Sequence, residues 1–253
     1  MKITVLGSGT SQGVPVIACE CDVCSSEDVL DKRLRSSILV ESNGTALVVD
    51  AGPDFRQQML RANVKSLDAI LITHTHKDHI AGLDDVRSFN YITKSAMKVF
   101  ACAADQKEIK QEFAYAFEAN PYPGVPKIDL IDLNLNPFYI GSIKVVPFEV
   151  MHMSLRVFGF RFGDFAYITD ANYISEHSMK VLNGTKVLVI DALRKKMHPS
   201  HFTLDEAVDV VRKIGVETAY FTHVSHLMGR TVDVQPLLPH GMRLAYDGLV
   251  IEM

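Results

Sequence analysis

The sequence predicts an α/β protein in which two β-sheets pack against each other and helices cover their outer faces. Short apolar runs that are typical of buried strands recur in both halves of the chain, and helix-like stretches lie between them. No linker rich in Gly, Pro or Ser divides the two halves. The chain has 253 residues, of which 47% are hydrophobic, so it can bury a large core. We therefore expect one domain that spans residues 1–253.

The first half of the chain begins with a predicted strand at residues 2–7, which ends in a Gly- and Ser-rich turn. Asn43-Gly44 predicts the turn of a β-hairpin. Pro53 is expected to open a helix, because its fixed φ suits the first helical position. Residues 120–137 contain four prolines and predict a surface loop, with a lid over a site as the less common alternative. The other predicted elements of this half are strands at residues 36–40, 46–49, 69–72 and 98–101, and helices at residues 54–63, 82–91 and 105–119.

The second half of the chain contains a tight turn at Gly163-Asp164 between two predicted strands. Thr203 and Glu206 form a capping-box pattern in front of an amphipathic helix, and Gly215 ends that helix. The remaining elements predicted here are strands at residues 143–147, 157–162, 165–169, 186–190 and 218–222, helices at residues 175–182 and 207–214, and closing strands within residues 244–251.

A histidine tract directly follows the apolar run at residues 69–72. His74, His76, Asp78 and His79 place three imidazoles and a carboxylate within six residues, in a chain that has 10 histidines in total. His74 and His76 would point to the same side of an extended segment. Incidental metal binding by a surface tract is the alternative, but the preceding buried strand argues against low complexity. The pattern therefore predicts a metal site for zinc or a similar transition metal.

Four further polar residues share the same position, directly after an apolar strand: Asp50, His152, Asp170 and His223. Any one of them alone would more often be a capping or exposed residue. Rigid scaffolds present functional groups where strand ends gather at one edge of a sheet. Their recurrence together with the histidine tract predicts a shared site at such an edge.

The four cysteines are unevenly placed. Cys19, Cys21 and Cys24 fall within six residues, whereas Cys102 stands alone in an apolar run. Clustering of this kind favours a metal site or redox chemistry over a disulfide framework. Cys102 is expected to be a small buried hydrophobic residue.

Composition excludes several classes of function. The net charge of −4 provides no bulk attraction to nucleic acid or to an anionic membrane. No apolar run reaches the roughly 20 residues that span a bilayer, and the N-terminus enters a predicted strand without the features of a signal peptide. We therefore expect a cytoplasmic protein with no membrane partner and no strong nucleic-acid signal.

The histidine tract, followed in order by His152, Asp170 and His223, resembles the metallo-β-lactamase superfamily of dinuclear metallohydrolases. The resemblance spans essentially the whole chain. It implies a four-layer αβ/βα sandwich with two divalent metal ions, zinc or manganese, at one edge. It also implies the role of each residue: His74, His76 and His152 hold one metal, Asp78, His79 and His223 hold the second, Asp170 bridges the two, and Asp50 orients a ligand histidine.

A finer resemblance is to the phosphoribosyl cyclic phosphodiesterase branch of phosphonate breakdown. It is carried by residues 6–15, 19–24, 198–207 and 222–226. In that branch three cysteines and one histidine hold a separate structural zinc, and the matching positions are Cys19, Cys21, Cys24 and His226. Three thiolates and one imidazole make a closed tetrahedral zinc site. A redox role is the weaker alternative, because three thiols offer no clear dithiol pair.

The same branch implies a general acid at His201, since a histidine can protonate a leaving alkoxide near neutral pH. Asp78 is expected to remain a metal ligand and to orient the nucleophile. For His198, two interpretations are equally supported: it binds phosphate, or it is a loop residue without a functional role. His177 and His240 match no motif and are expected to be surface or structural residues.

The resemblance therefore implies a phosphodiesterase that hydrolyses a small cyclic sugar or nucleotide phosphodiester with a metal-bound hydroxide. A tRNA 3′-processing endonuclease is an alternative, but the sequence has no basic arm. A thioester or lactone hydrolase of the same fold is another, which the cysteine cluster and the His201 motif disfavour. A metal-binding protein without turnover is the alternative from a different class. The expected partner is a small phosphodiester substrate, and a homodimer is implied by the resemblance alone.

Overall fold

The computed structural model describes all 253 residues and confirms the predicted fold class, a mixed α/β sandwich of two sheets with helices. The strands are β1 (Lys2–Gly7), β2 (Ser37–Ser42), β3 (Thr45–Val49), β4 (Ala69–Leu71), β5 (Met97–Ala101), β6 (Ile128–Asp132), β7 (Phe138–Ile140), β8 (Ile143–His152), β9 (Leu155–Phe162), β10 (Phe165–Ile168), β11 (Tyr173–Ile174), β12 (Val187–Asp191), β13 (Thr218–Thr222), β14 (Met242–Leu244) and β15 (Val250–Glu252).

Seven α-helices and five short 3₁₀ turns connect these strands. No helix combines the length and the apolar composition that crossing a membrane requires. The helices are α1 (Phe55–Arg61), α2 (Lys77–Ile80), α3 (Arg87–Thr93), α4 (Ala103–Glu112), α5 (Glu176–Leu182), α6 (Leu204–Ile214) and α7 (Thr231–Val234). The 3₁₀ turns are Val29–Asp31, Leu83–Val86, Ala114–Ala116, His226–Met228 and Gln235–Leu237.

Each sheet contains a block of four parallel strands, which fixes where the strand ends meet. The first sheet has the order β15-β1-β2-β3-β4-β5-β6, and β3 to β6 are parallel to one another. The second sheet has the order β11-β8-β9-β10-β12-β13-β14, with β7 paired to β8, and its parallel block is β10-β12-β13-β14. The carboxyl ends of a parallel block lie at one edge, where open α/β sheets place their ligands.

Three apolar clusters define four layers. One cluster fills the space between the sheets and contains residues from both, such as Val49 and Leu71 from the first and Phe160 and Tyr167 from the second. Another lies between the first sheet and helices α1, α3 and α4. The third lies between the second sheet and helices α5 and α6. The order is helix, sheet, sheet, helix, as the resemblance implied.

The capping box before α6 was correctly predicted. Thr203 Oγ1 accepts a hydrogen bond from the amide of Glu206, and the Glu206 carboxylate accepts one from the amide of Thr203. Gly215 ends the helix with a φ of 77°, in the left-handed region. Buried side chains on one face of α6, including Val211, pack on the second sheet.

Several local predictions differ from the structure. The helix predicted at residues 82–91 is instead a 3₁₀ turn, Leu83–Val86, followed by α3, which continues to Thr93. The helix predicted at residues 105–119 ends at Glu112 and is followed by a separate 3₁₀ turn at Ala114–Ala116. Residues 120–137 are not all loop, because β6 lies within them and pairs with β5 at the edge of the first sheet. A lid made of the whole segment is therefore excluded. Pro53 does not open α1, since Asp54 is the N-cap residue and the helix begins at Phe55.

Candidate metal centre and active site

The seven predicted metal ligands come together at the edge where strands of both sheets end. The histidine tract follows β4 in the first sheet, whereas the other three ligands end or follow β8, β10 and β13 in the second. Their donor atoms form groups within 4.8 Å of one another. The groups are Asp78, His79, Asp170 and His223; His74, His76 and Asp170; and His152, Asp170 and His201. Asp170 belongs to all three groups, which is the position expected of a bridging carboxylate.

Three residues at this edge have left-handed backbone conformations. The φ angles are 65° at Asp50, 51° at Asp170 and 56° at His223. Asp and His enter this region more readily than most residues, although it remains less favourable than ordinary backbone. The turn that each residue makes carries its side chain from the end of its strand into the site.

Close backbone packing fixes the histidine tract. A Cβ atom on Gly52 would lie 1.9 Å from the carbonyl oxygen of Asp78, and one on Gly82 would lie 2.1 Å from the carbonyl oxygen of Gly52. The amide of Ala51 donates to the carbonyl oxygen of His79, and the amide of Gly82 donates to that of Ala51. Glycine is required at these two positions because the turn after β3 lies directly against the tract.

Asp50 contacts the tract through its side chain as well. It is fully buried, and its carboxylate accepts hydrogen bonds from Nδ1 of His79 at 2.7 Å and from the amide and hydroxyl of Thr73, both at 2.8 Å. Nε2 of His79 then faces Asp78 and Asp170, with 3.1 Å to a carboxylate oxygen of each. Asp50 therefore lies where the sequence predicted an orienting residue.

The donor set fits a metal centre. Nε2 of His74 is buried and has no hydrogen-bond partner, although buried polar atoms are normally paired. Burial lowers the pKa of His74, His152 and His223, which favours the neutral imidazole that binds a metal. Burial also acts to lower the pKa of His79, but the carboxylates of Asp78, Asp170 and Asp50 raise it well above its usual value. A cluster that favours positive charge in this way also favours a cation.

His201 lies beside the predicted ligands. Its ring centroid is 4.6 Å from that of His152 and 4.9 Å from that of His223. Its Nδ1 is 3.8 Å from Oδ1 of Asp170 and 3.5 Å from Oδ2 of Asp191. Burial lowers the pKa of His201.

Asp191 was not singled out in the sequence, yet it is the fully buried carboxyl group behind His201. Its Oδ1 accepts from the amide of Ala171 at 3.0 Å, and its Oδ2 has no hydrogen-bond partner. Burial and the nearby charge of Asp170 raise its pKa well above the usual value. The signal that could have found it is the one used for the other residues, since Asp191 ends the apolar strand β12.

The remaining histidines differ in their distance from the site. The His198 ring is 5.2 Å from the His201 ring, and its Nδ1 lies 3.1 Å from the hydroxyl of Ser200. His177 and His240 are exposed and belong to none of the metal-binding groups.

The four residues predicted to hold a structural zinc also lie close together. The sulfur atoms of Cys19, Cys21 and Cys24 lie 3.3, 3.4 and 3.5 Å from Nδ1 of His226. Ligands at zinc distances in a tetrahedral site are separated by roughly 3.4–3.8 Å, so these four donors need little movement to enclose a zinc ion. Cys102, by contrast, is half-buried, and its thiol donates to Asp105 at 3.2 Å. It is therefore not the simple buried hydrophobic residue that was expected.

The cysteine loop is anchored by a buried arginine. Arg33 donates hydrogen bonds to the hydroxyl of Ser8 at 2.9 Å, to the hydroxyl of Thr231 at 3.0 Å and to the carbonyl oxygen of Ala245. Asp31 accepts from both the amide and the hydroxyl of Thr231 at 2.8 Å. These contacts join the segment that follows the cysteines to the segment that follows His226.

Comparison with known proteins gives consistent matches. A family model described as the Beta-lactamase superfamily domain matches residues 45–224. The crystal structure of a diphosphatase from the PhnP family is 41% identical, with a TM-score of 0.93, and the alignment covers 100% of this chain and 97% of that one. Zn²⁺-bound PqqB from Methylobacterium extorquens has a TM-score of 0.82 with full coverage of both chains, but at 20% identity it shows the fold alone.

One curated relative contains further sequence outside the region that matches this chain. The octanoyltransferase of Porphyromonas gingivalis strain W83 is 39% identical over 252 residues, which cover 98% of this chain and 51% of that protein. Coenzyme PQQ synthesis protein B of Methylobacterium radiotolerans is 30% identical over 149 residues, half of its length. The chain thus spans about half the length of these curated relatives.

Proposed function

The chain belongs to the metallo-β-lactamase superfamily of metal-dependent hydrolases, and from this premise we propose that it is a phosphodiesterase acting on a small cyclic sugar or nucleotide phosphodiester. The position of His201 carries the proposal. Its imidazole lies 4.6 and 4.9 Å from two of the predicted ligand rings, and the expected ligand set is complete without it. A sugar hydroxyl is a poor leaving group, so its departure requires a proton donor close to the reacting phosphate.

The residues of the histidine tract and of the second sheet would hold two divalent cations, with Asp170 between them. When bound, the two cations lower the pKa of a water molecule and neutralise charge on the phosphoryl oxygens. Asp78 is held as a carboxylate, because His79 and His223 lower its pKa against the opposing effect of burial. It can therefore bind a cation and accept a hydrogen bond from the attacking water.

Asp191 and His201 act together in this proposal. Burial and the nearby charge of Asp170 raise the pKa of the Asp191 carboxyl group well above the usual value, which favours its protonated form. Nδ1 of His201 faces that group at 3.5 Å, which leaves Nε2 to deliver a proton to the leaving oxygen. As Nε2 gives its proton to the leaving oxygen, Nδ1 accepts the proton of Asp191, so the pair supplies the proton although burial lowers the pKa of His201 itself.

We further propose that Cys19, Cys21, Cys24 and His226 hold a structural zinc ion. His226 follows the predicted ligand His223 by three residues, so this zinc would fix the cysteine loop beside the active-site edge. Four protein donors close the site and leave no position for substrate, which supports a structural role.

A diphosphate is a second candidate substrate. The relative with 41% identity and a TM-score of 0.93 is a diphosphatase, and hydrolysis of a phosphoanhydride uses the same in-line attack. Its phosphate leaving group needs less protonation than a sugar hydroxyl. Hydrolysis of a diphosphate diester should therefore depend less on His201 than hydrolysis of a cyclic phosphate does.

The test uses protein with its metals restored. We compare hydrolysis of five substrates: a 2′,3′-cyclic nucleotide, ADP-ribose, bis(p-nitrophenyl) phosphate, a thioester and a lactone. Activity and metal content are also measured in His201→Ala and in the exposed control His177→Ala. We expect phosphodiester hydrolysis, a slow His201→Ala variant with unchanged metal content, and a normal control. A loaded protein that hydrolyses no phosphodiester contradicts the proposal, and loss of metal in His201→Ala contradicts the acid assignment.

A further inference from the structure

We propose that Asn172 is a positioning residue that holds the loop carrying His201 against the hairpin carrying His152. This inference rests on the proposed role of His201 as proton donor. Oδ1 of Asn172 accepts a hydrogen bond from the amide of Met153 at 2.9 Å, and its Nδ2 donates to the carbonyl oxygen of Pro199 at 2.8 Å. One side chain therefore joins two segments that are distant in sequence.

The hairpin end of this connection is a tight turn. His152 at the end of β8 pairs with Leu155 at the start of β9, so only two residues form the turn. Met153 is one of them and has a φ of 56°, in the left-handed region. The bond from its amide to Asn172 stabilises this conformation, and the backbone of Asn172 is itself fixed because its amide donates to the carbonyl oxygen of Met151 at 2.8 Å.

The loop end of the connection lies next to His201. Besides the bond from Asn172 to Pro199, Nδ1 of His152 donates to the carbonyl oxygen of Ser200 at 2.7 Å, and the amide of Phe202 donates to that of Ala171 at 2.7 Å. These three contacts hold the loop at residues 199–202 on both sides of His201. The contact made by Asn172 is the one that can be removed by a side-chain change that leaves every predicted metal ligand and His201 in place.

The position of the loop determines how close His201 comes to the leaving oxygen. Proton transfer requires hydrogen-bond reach, and a displacement of about 1 Å can cost roughly a hundredfold in rate. The cost should depend on the leaving group. A sugar hydroxyl must be protonated as it departs, whereas p-nitrophenolate departs readily without a proton. A residue that only supported the metal centre would slow both reactions equally.

Two variants separate the two bonds of Asn172. Asn172→Ala removes both, and Asn172→Asp keeps an acceptor for Met153 but cannot donate to Pro199. Asn90→Ala is the matched control, because Asn90 also joins backbone groups of two segments: its Oδ1 accepts from the amide of Lys127, and its Nδ2 donates to the carbonyl oxygens of Ser95 and Lys127, outside the site. We expect kcat for a 2′,3′-cyclic nucleotide to fall about tenfold to a hundredfold in both Asn172 variants. The kcat of the Asn172 variants for bis(p-nitrophenyl) phosphate, and the kcat of Asn90→Ala for both substrates, should stay within about threefold of the wild-type values. Metal content should be unchanged in all three variants.

Hydrogen–deuterium exchange of the metal-loaded protein provides a readout that does not need activity. We expect faster exchange at residues 199–203 in both Asn172 variants and no change in α6. Unchanged exchange overturns the inference, as does an equal loss on both substrates or a loss of metal. Failure of the proposed function would give a different result. The wild-type protein would hydrolyse neither diester, or His201→Ala would slow the reactions of both leaving groups equally. The exchange experiment would still show whether Asn172 holds the loop.

Discussion

Oδ2 of Asp50 lies 2.7 Å from Nδ1 of His79, and both side chains are fully buried. The carboxylate therefore fixes the ring so that Nε2 faces Asp78 and Asp170 rather than the protein interior. A metal ligand held in this way does not have to be reoriented when a cation binds, so less binding energy is lost.

Replacement of Asp50 should weaken metal binding. We expect Asp50→Ala to reduce affinity by roughly 10–100-fold, the usual effect of losing a residue that orients a ligand histidine. Asp50→Asn should cost less, because its amide oxygen can still accept from Nδ1. Competition with a chromophoric chelator measures the affinity. The control is Asp68→Ala, since Asp68 accepts from the amide of Ala46 at the other end of β3. Wild-type affinity in Asp50→Ala would show that Asp50 does not orient His79.

The pairing of Asp191 with His201 predicts strong non-additivity. His201→Ala should lower kcat for a cyclic phosphodiester by about 10²–10⁴-fold, the range typical of a general acid. Asp191→Asn should lower it through the same proton, so the double variant should be little worse than His201→Ala alone. Steady-state kinetics on metal-loaded protein provide the numbers, and Asp164→Asn is a surface control with an exposed ion pair to Lys186. If the fold-decrease in kcat of the double variant equals the product of the two single decreases, the two residues act independently.

The thiols of the second site should differ in reactivity when zinc has been removed. The amide of Cys24 lowers the pKa of Cys21 to about 6, whereas burial raises the pKa of Cys24 to about 11. Cys21 is protonated below pH 6 and a thiolate above it. Its alkylation rate should therefore rise with pH up to about 6 and then level off, while Cys24 stays unreactive at neutral pH.

Peptide mass mapping after a short iodoacetamide treatment measures this selectivity. Cys102 serves as the internal control, because burial raises its pKa and it lies outside the cluster. Added zinc should protect Cys21. Equal labelling of Cys21 and Cys24 at pH 7, or a midpoint near the value of an ordinary thiol, would contradict the predicted difference.

The buried Arg33 should be essential for stability. Its guanidinium bonds Ser8, Thr231 and Ala245 at once, and loss of one partner from a buried charged network typically costs about 3–5 kcal/mol. We expect Arg33→Ala to lower the free energy of unfolding by that amount. Arg33→Lys should recover little, since an ammonium cannot reproduce the planar set of donors.

Denaturant unfolding followed by circular dichroism measures the effect of the Arg33 variants, because the chain contains no tryptophan. Arg243→Ala, at an exposed position with no side-chain hydrogen bond, should stay within about 0.5 kcal/mol of the wild type. A comparably small change in Arg33→Ala would show that the network does not stabilise the fold.

Most of the candidate site could be predicted because strand ends leave a signal in the sequence. Asp50, the histidine tract, Asp170 and His223 each follow an apolar run, and all of them lie at one edge of the sandwich. Asp191 carries the same signal but was missed, since the sequence does not reveal that β12 lies between β10 and β13. Asn172 leaves no signal, because its role depends on two loops that meet only after the second sheet has formed.

The fold was predicted where local patterns decide the structure. The capping box before α6 is an example. Predictions failed where tertiary pairing decides it. β6 forms in a proline-rich stretch because β5 offers an open edge. The closing strands β14 and β15 lie in different sheets. Between them, the carboxylate of Asp247 accepts hydrogen bonds from the amides of Ser8 and Leu34, contacts that no local pattern reveals.

The position of Asp170 between donors from both sheets has a consequence for folding. The histidine tract belongs to the first sheet and His223 to the second, so neither sheet alone can build the centre. A cation that binds there binds only the docked sheets and stabilises them by mass action. Metal supply would then shift the balance between the assembled protein and its partly unfolded states, and scarcity of metal would lower the amount of folded protein as well as the proposed activity.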